Sequence, residues 1–166
     1  MKSKLISLSK LPSLINTLKK KNKKIVFTNG CFDIIHPGHI KLLRSAKNLG
    51  DTLILGLNSD SSVKKIKGKK RPLLRERERA EILSAISYID YIVIFRETTP
   101  LRLIKKIKPD ILTKGSDWKE NKIVGAEFVK KYGGRVIRIR IKKGYSTSKL
   151  IRKIRNLYGE KNIKNS

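Results

Sequence analysis

Two histidines, His36 and His39, are the only ones in this 166-residue chain, and they sit three residues apart. They close the stretch FTNGCFDIIHPGH at 27–39, which an apolar run (Ile25, Val26, Phe27) enters and from which Pro37 opens an amphipathic segment. This order reads as a strand, a glycine-containing turn and the first turn of a helix. Residues three apart on a helix share one face, so both imidazoles are directed to the same place. The unpaired N–H groups and positive dipole end of a helix start also bind phosphate. The combination supports chemistry at phosphorus. A capping or surface role would account for one histidine, but not for both beside one glycine loop. Cys31 has the right type for a nucleophile, yet transfer at phosphorus needs none, and small-residue packing is its expected role.

The elements that must position this turn follow from periodicity and punctuation. Residues 1–24 form an amphipathic lead-in through Leu11, Leu14, Ile15 and Leu18. A strand is predicted at 25–28, a helix from Pro37 to Leu49 stopped by Gly50, and a buried strand at 52–57, where TLILGL is continuously apolar. Residues 60–74 read as a polar, strongly basic loop, 75–87 as a helix and 91–95 (YIVIF) as another buried strand. Thr99 is the predicted N-cap, and Pro100 the first residue, of a helix ending near Lys108. A short strand at 111–114 follows, then a helix at about 122–132 ended by Gly133 and Gly134. At 135–141 Ile137, Ile139 and Ile141 alternate with Arg138 and Arg140, which suits an edge strand with one wet face. A helix from about 147 to 157 closes the chain, and the residues after it are expected to fray. Alternating strands and helices imply an α/β fold with a doubly wound parallel five-stranded sheet, Rossmann-like, in one domain over 1–166 with its core at about 24–157. Such sheets bind ligand beyond the carboxyl ends of their strands, near the switch point beside the first strand.

Composition narrows the classes of function. With 41 Lys+Arg against 13 Asp+Glu, the net charge is +28, and a chain this basic attracts polyanions non-specifically. The charge is spread over nearly every segment, and aromatics are only 6%, without the basic–aromatic interleaving that stacks bases. No specific nucleic-acid partner is therefore expected, and a polyanion-binding protein is the non-enzymatic alternative. A single cysteine excludes an intramolecular disulfide. No apolar run reaches membrane-spanning length and the first residues lack a signal-peptide core, so a cytoplasmic protein without a membrane partner is expected.

The pattern Gly30-x-Phe32-Asp33-x-x-His36-x-Gly38-His39 resembles the HxGH motif of nucleotidyltransferases related to the cytidylyltransferases and class I tRNA synthetases. An ordered series extends the match over roughly residues 14–155. It comprises Leu57-Asn58-Ser59-Asp60, Lys67-Gly68, Arg71-Pro72, Thr99-Pro100, Pro109-Asp110, Lys114-Gly115-Ser116-Asp117-Trp118, Val124-Gly125-Ala126-Glu127 and Gly144-Tyr145-Ser146-Thr147-Ser148. These resemble the adenylyltransferase domain of the bifunctional heptose-phosphate enzymes of lipopolysaccharide precursor synthesis. Ser116 departs from that family, which more often has a second glycine there. The ribokinase-like half that precedes the domain in those enzymes is not seen, so a stand-alone form is expected. The resemblance implies an enzyme that transfers AMP from ATP, with Mg²⁺, to D-glycero-β-D-manno-heptose 1-phosphate, and a homo-oligomer, expected to be a dimer. It also gives Lys67 the role of closing over the phosphates, which makes it catalytic beside His36 and His39. It turns Arg79 toward the phosphates, with pairing to Glu76 or its helical neighbours as the competing role. The segment around Val124 and Gly125 resembles the part of the family that contacts adenine through backbone groups, which implies the same contact here.

Nucleotidyl transfer explains the remaining residue types. A phosphate monoester is largely dianionic near neutrality, so the attacking oxygen needs no base, and positioning and electrostatics must supply the rate. Thr28, Asn29, Gly30, Cys31 and Phe32 are expected to form a backbone cradle for the nucleotide. Asp33 is expected to orient that loop, to hold Mg²⁺ indirectly or to serve as an N-cap; no protein metal site is expected. Ser146, Thr147 and Ser148 precede a helix and offer hydroxyls and N–H groups to the β- and γ-phosphates. Lys114, Gly115 and Asp117 end a strand near the expected base or ribose, and Trp118 either stacks there or fills core. Asn58 and Asp60 end another strand, where polar groups suit the acceptor substrate. The enzymatic alternative is a cytidylyltransferase acting on glycerol 3-phosphate or a related alcohol phosphate.

Overall fold

The computed structural model describes residues 4–140 and 144–159. In chain order these form α1 (Leu11–Lys20), β1 (Ile25–Gly30), α2 (Pro37–Lys47), β2 (Thr52–Asn58), α3 (Asp60–Lys67), α4 (Glu76–Ser84) and β3 (Tyr91–Phe95). They continue with α5 (Leu101–Ile107), β4 (Ile111–Gly115), a 3-10 turn at Glu120–Lys122, α6 (Ala126–Lys131), β5 (Arg135–Ile139) and α7 (Thr147–Tyr158). The strands pair in the order β3-β2-β1-β4-β5, every neighbour parallel. The chain thus lays strands outward from β1 to β3, then returns to place β4 on the other side of β1. The expected doubly wound five-stranded sheet is present, with its switch point between β1 and β4.

Continuous apolarity in β1 and β2 follows from cover on both faces. Phe27, Ile54 and Leu112 pack with α1, α5 and α6 on one face. Val26, Leu53 and Leu55 pack with α2 and α4 on the other. β5 is an edge strand, with Arg138 exposed and Ile139 buried, as its alternation requires. Ile141 and the residues beyond 159 lie outside the described residues.

Several boundaries differ from expectation for identifiable reasons. The basic stretch after β2 begins as α3, not as a loop. Ser59 caps it by accepting from the Ser62 N–H, and Val63 anchors it in the interior. α5 starts at Leu101, with Pro100 rather than Thr99 in the capping position. The helix expected at 122–132 is split, because Gly125 adopts φ +86° and a left-handed residue cannot continue a right-handed helix. α4 ends at Ser84. An addition is the N-terminal segment, where Ile6 N–H donates to the Ile92 carbonyl and Ile92 N–H to the Lys4 carbonyl, each at 2.8 Å, covering the outer edge of β3.

Candidate active site

The turn from β1 into α2 is built by Phe32, a non-glycine residue at φ +46°. Its buried ring fills the hollow left by Gly30, where a Cβ would lie 2.9 Å from Phe32 Cε2. Phe32 also tilts against the His39 ring at 4.8 Å. His36, rather than Asp33, caps α2, its Nδ1 accepting from the His39 N–H at 3.3 Å. That acceptor role places the His36 ring proton on Nε2. The two imidazoles stack, centroids 3.7 Å apart and planes 18° from parallel. Burial lowers both pKa values, and the His36 charge adds to the effect on His39, which falls to about 4 although the Ile34 backbone opposes the shift. Both rings are therefore neutral at pH 7 and offer N–H groups without carrying charge.

This depression predicts an acid-sensitive fold. Between the ordinary histidine value of about 6.5 and the folded value, the unfolded chain binds a proton that the folded chain does not. For His39 that window runs from about 6.5 down to about 4, and stability is lost as the pH falls through it. The urea midpoint of His39→Gln is expected to depend less steeply on pH there. An unchanged slope counts against a buried neutral imidazole.

Among the described residues, the two buried side-chain polar atoms without a hydrogen-bond partner are Asn29 Oδ1 and His39 Nδ1. Buried polar atoms are rarely left unpaired, and both of these lie where β1 passes into α2. Cations gather around the same turn. Lys114 Nζ donates to the Asn29 carbonyl at 2.8 Å and stands 5.3 Å from the centre of the Trp118 ring. Burial lowers the Lys114 pKa to about 8, opposed by Cys31 and Asp117. Trp118 is 46% exposed, so it is not a core residue. Burial raises the Cys31 pKa against the pull of Lys67, Arg79, Lys114 and Arg71, so Cys31 remains a thiol and not an activated nucleophile.

Lys67 is the last residue of α3, exposed, with Gly68 at φ +94° ending the helix. It is the first of the cations acting on Cys31, so its charge reaches the turn. Lys67→Ala is expected to reduce turnover about tenfold or more, since charge stabilisation in a phosphate site exceeds that of a solvated surface charge. Lys69→Ala and Lys70→Ala should each change it less than about twofold, as screened charges do. Equal effects in steady-state kinetics would make Lys67 one member of a solvated run.

Asp33, Asp60, Asn58 and Arg79 are occupied within the protein. The Asp33 carboxylate accepts from Arg71 Nε (2.5 Å) and from the N–H groups of Leu73 (2.8 Å) and Leu74 (3.0 Å), tying the 71–74 loop to the turn. Burial raises its pKa, but the hydrogen bonds from Leu74, Leu73 and Arg71 outweigh that and hold it below the usual carboxylate range. Arg79 is 1% exposed. It donates to the carbonyls of Leu74, Cys31 and Asn58 and to Asp60 Oδ1, and pairs with no glutamate of its own helix. Glu76 instead accepts from the Asp60 N–H, and Asn58 Nδ2 donates to Ser62. Arg71 had no assigned role in the sequence, being one cation among many in a basic run.

Thr28 lies inside β1 and joins it to β4 by donating to the Thr113 carbonyl at 3.2 Å. Ser146 caps α7 by accepting from the Lys149 N–H, and Thr147 Oγ1 donates to the Ile34 carbonyl at 3.5 Å. The start of α7, with Ser148, is thereby brought beside the start of α2. Gly115 and Asp117 follow from β4 next to Lys114. Gly125 lines a cavity of about 670 Å³ between α5 and α6 that includes Glu120 and Phe128, and Val124 beside it is exposed. None of the histidines, cations or orphaned atoms of the turn lines that cavity. The carboxylates nearest the turn do not fit a protein-held Mg²⁺, since Asp33 and Asp60 are already paired, and no cluster of three metal-binding side chains occurs among the described residues.

Two helix starts, two N–H-bearing imidazoles and several cations can hold a triphosphate and stabilise charge on its leaving group. The fold and this site define an enzyme of the nucleotidyltransferase class. A model of the cytidylyltransferase-like family matches residues 27–158, and the chain belongs to that family. It is 52% identical, over 95% of its length, to the bifunctional protein HldE of Geobacter metallireducens, and 57% identical over 86% to that of Campylobacter jejuni subsp. doylei. It spans 32% and 30% of those relatives, about a third of their length. Among solved structures, a lipopolysaccharide core biosynthesis protein from Thermoplasma volcanium is 32% identical with a TM-score of 0.60, covering 75% of this chain and 99% of that one. A pantoate-β-alanine ligase from Francisella tularensis, 18% identical with a TM-score of 0.64 over 84% of this chain and 67% of its own, shares the fold. Among the described residues, no helix is long and apolar enough to cross a membrane.

Proposed function

We propose that the protein transfers AMP from ATP to D-glycero-β-D-manno-heptose 1-phosphate, giving ADP-heptose and pyrophosphate. The observation that carries this is the stacked, neutral His36–His39 pair at the start of α2, beside the start of α7. The heptose branch is supported by the identity with the HldE proteins, together with the Lys114-Gly115-Ser116-Asp117-Trp118 and Val124-Gly125-Ala126-Glu127 segments that resemble it.

In the proposed reaction an oxygen of the sugar phosphate attacks the α-phosphorus of ATP. The new P–O bond forms as the bond to the β-phosphate bridging oxygen breaks, and the electron pair leaves with pyrophosphate. His36 and His39 donate to the triphosphate, and those bonds strengthen as charge builds on the leaving group. Lys67 approaches from the end of α3, while Ser146, Thr147 and Ser148 offer hydroxyl and N–H donors from α7. Mg²⁺ would accompany ATP as a counter-ion held by phosphate oxygens.

A pyrophosphate-release assay crossing ATP and CTP with heptose 1-phosphate and glycerol 3-phosphate tests the proposal. A preference of about tenfold or more in kcat/KM is expected for ATP and for the heptose phosphate, because sites that hydrogen-bond a substrate reject analogues leaving those groups unpaired. Preference for CTP with glycerol 3-phosphate would overturn it.

A further inference from the structure

The sheet separates two polar groups at the end of β1. α2, with its histidines, packs on the face formed by Val26, Leu53 and Leu55. Asn29 lies two residues beyond Phe27 and therefore on the opposite face, where α5 and α6 pack. Phe27 pairs with Leu112, so the next same-face pair along β1 and β4 is Asn29 beside Lys114. Gly56 on β2 makes room on that face, since a Cβ there would lie 2.8 Å from Phe27 Cζ and 3.1 Å from Asn29 Cβ. Asn29 is only 8% exposed, closely packed, and its Oδ1 has no partner. A packed amide with an unused acceptor is a prepared site for a donor, and a phosphate cannot supply one.

In-line displacement puts the attacking oxygen and the leaving pyrophosphate on opposite sides of the α-phosphorus. The histidines and the start of α7 collect the pyrophosphate on the α2 face. The attacking phosphate, and the sugar that carries it, then approach from the face of Asn29 and Lys114. Asn58 and Asp60, whose strand-end position suits an acceptor, are committed to Ser62 and Arg79.

Building on the adenylyl-transfer reading, we propose that Asn29 is a specificity-determining residue, its side-chain oxygen accepting a hydrogen bond from a hydroxyl of the incoming sugar phosphate. Lys114, held against the Asn29 carbonyl, stands beside it to meet that substrate's phosphate. Asn29 thereby selects a polyhydroxy acceptor, whereas the cradle formed by its backbone is indifferent to the acceptor.

The test uses the full chain with ATP, heptose 1-phosphate and its mono-deoxy analogues. Asn29→Ala is expected to lower kcat/KM for the acceptor about tenfold or more, with KM for ATP changed less than about twofold. One deoxy analogue should lose about tenfold or more with the wild-type enzyme and almost nothing further with Asn29→Ala. Asn29→Asp, isosteric and still an acceptor, should keep that discrimination, and it carries the test if the alanine variant fails to fold. A loss confined to ATP, as a ribose contact would give, overturns the proposal, as does an equal deoxy penalty with and without the amide. A wild-type enzyme active with alcohol phosphates but idle with every sugar phosphate overturns the functional reading itself, and this proposal with it.

Discussion

Alanine at either His36 or His39 is expected to lower kcat about a hundredfold or more in a protein that remains folded. Removing one donor aimed at developing charge typically costs about 10²–10³ in rate, because the bond is used mainly in the transition state. Here the two donors are coupled. The His39 backbone N–H donates to His36 Nδ1 and fixes that ring, and the two rings stack at 3.7 Å, so each imidazole is a wall of the other's position. Losing either ring disturbs the other, so the double variant should be little worse than each single one. The burial that depresses both pKa values keeps the pair uncharged near neutrality, so two imidazoles can occupy one turn without repelling. Steady-state kinetics with saturating ATP and acceptor reads the effect. Near-normal turnover in both single variants would remove the histidines from catalysis.

The parts legible in the sequence were those governed by local pattern. YIVIF and TLILGL are continuously apolar because their strands are covered on both faces, and β3 and β2 follow them closely. The histidine turn was legible because strand end, glycine and Pro37 adjoin in the chain. What escaped depends on partners distant in sequence or on short anchors. α3 hides because five lysines between 64 and 70 obscure its one buried apolar anchor, Val63. The left-handed Phe32 cannot be inferred from residue type, since phenylalanine rarely adopts that conformation. Asn29 belonged visibly to the turn, but whether its side chain faces the histidines or the other side of the sheet depends on pairing with β4. Arg71 and Arg79 each stood in a charge run, where solvated cations and buried ones look alike.

Arg79 carries the second large effect, and it concerns the framework. Its guanidinium joins the turn after β1 through Cys31, the end of β2 through Asn58, the start of α3 through Asp60 and the loop before α4 through Leu74. Four donors placed in a rigid plane are what arginine supplies and lysine does not. With Arg79→Met, the Asp60 carboxylate loses its buried cation and three carbonyls lose their donors. Breaking a fully buried pair costs about 3–5 kcal/mol, and the 29% exposure of the Asp60 side chain, which lets water meet part of the stranded charge, puts this loss at the lower end. Urea denaturation should show a loss of that order. Arg79→Lys should fall between the two, retaining charge but reaching fewer acceptors. Adding Asp60→Asn to Arg79→Met should recover part of the loss, since the stranded charge is then gone even though the carbonyls remain unmet. That recovery separates a buried strut from a residue that acts only on phosphate, for which Asp60→Asn would restore nothing. An Arg79→Met protein as stable as wild type would show that the strand ends hold their positions without it.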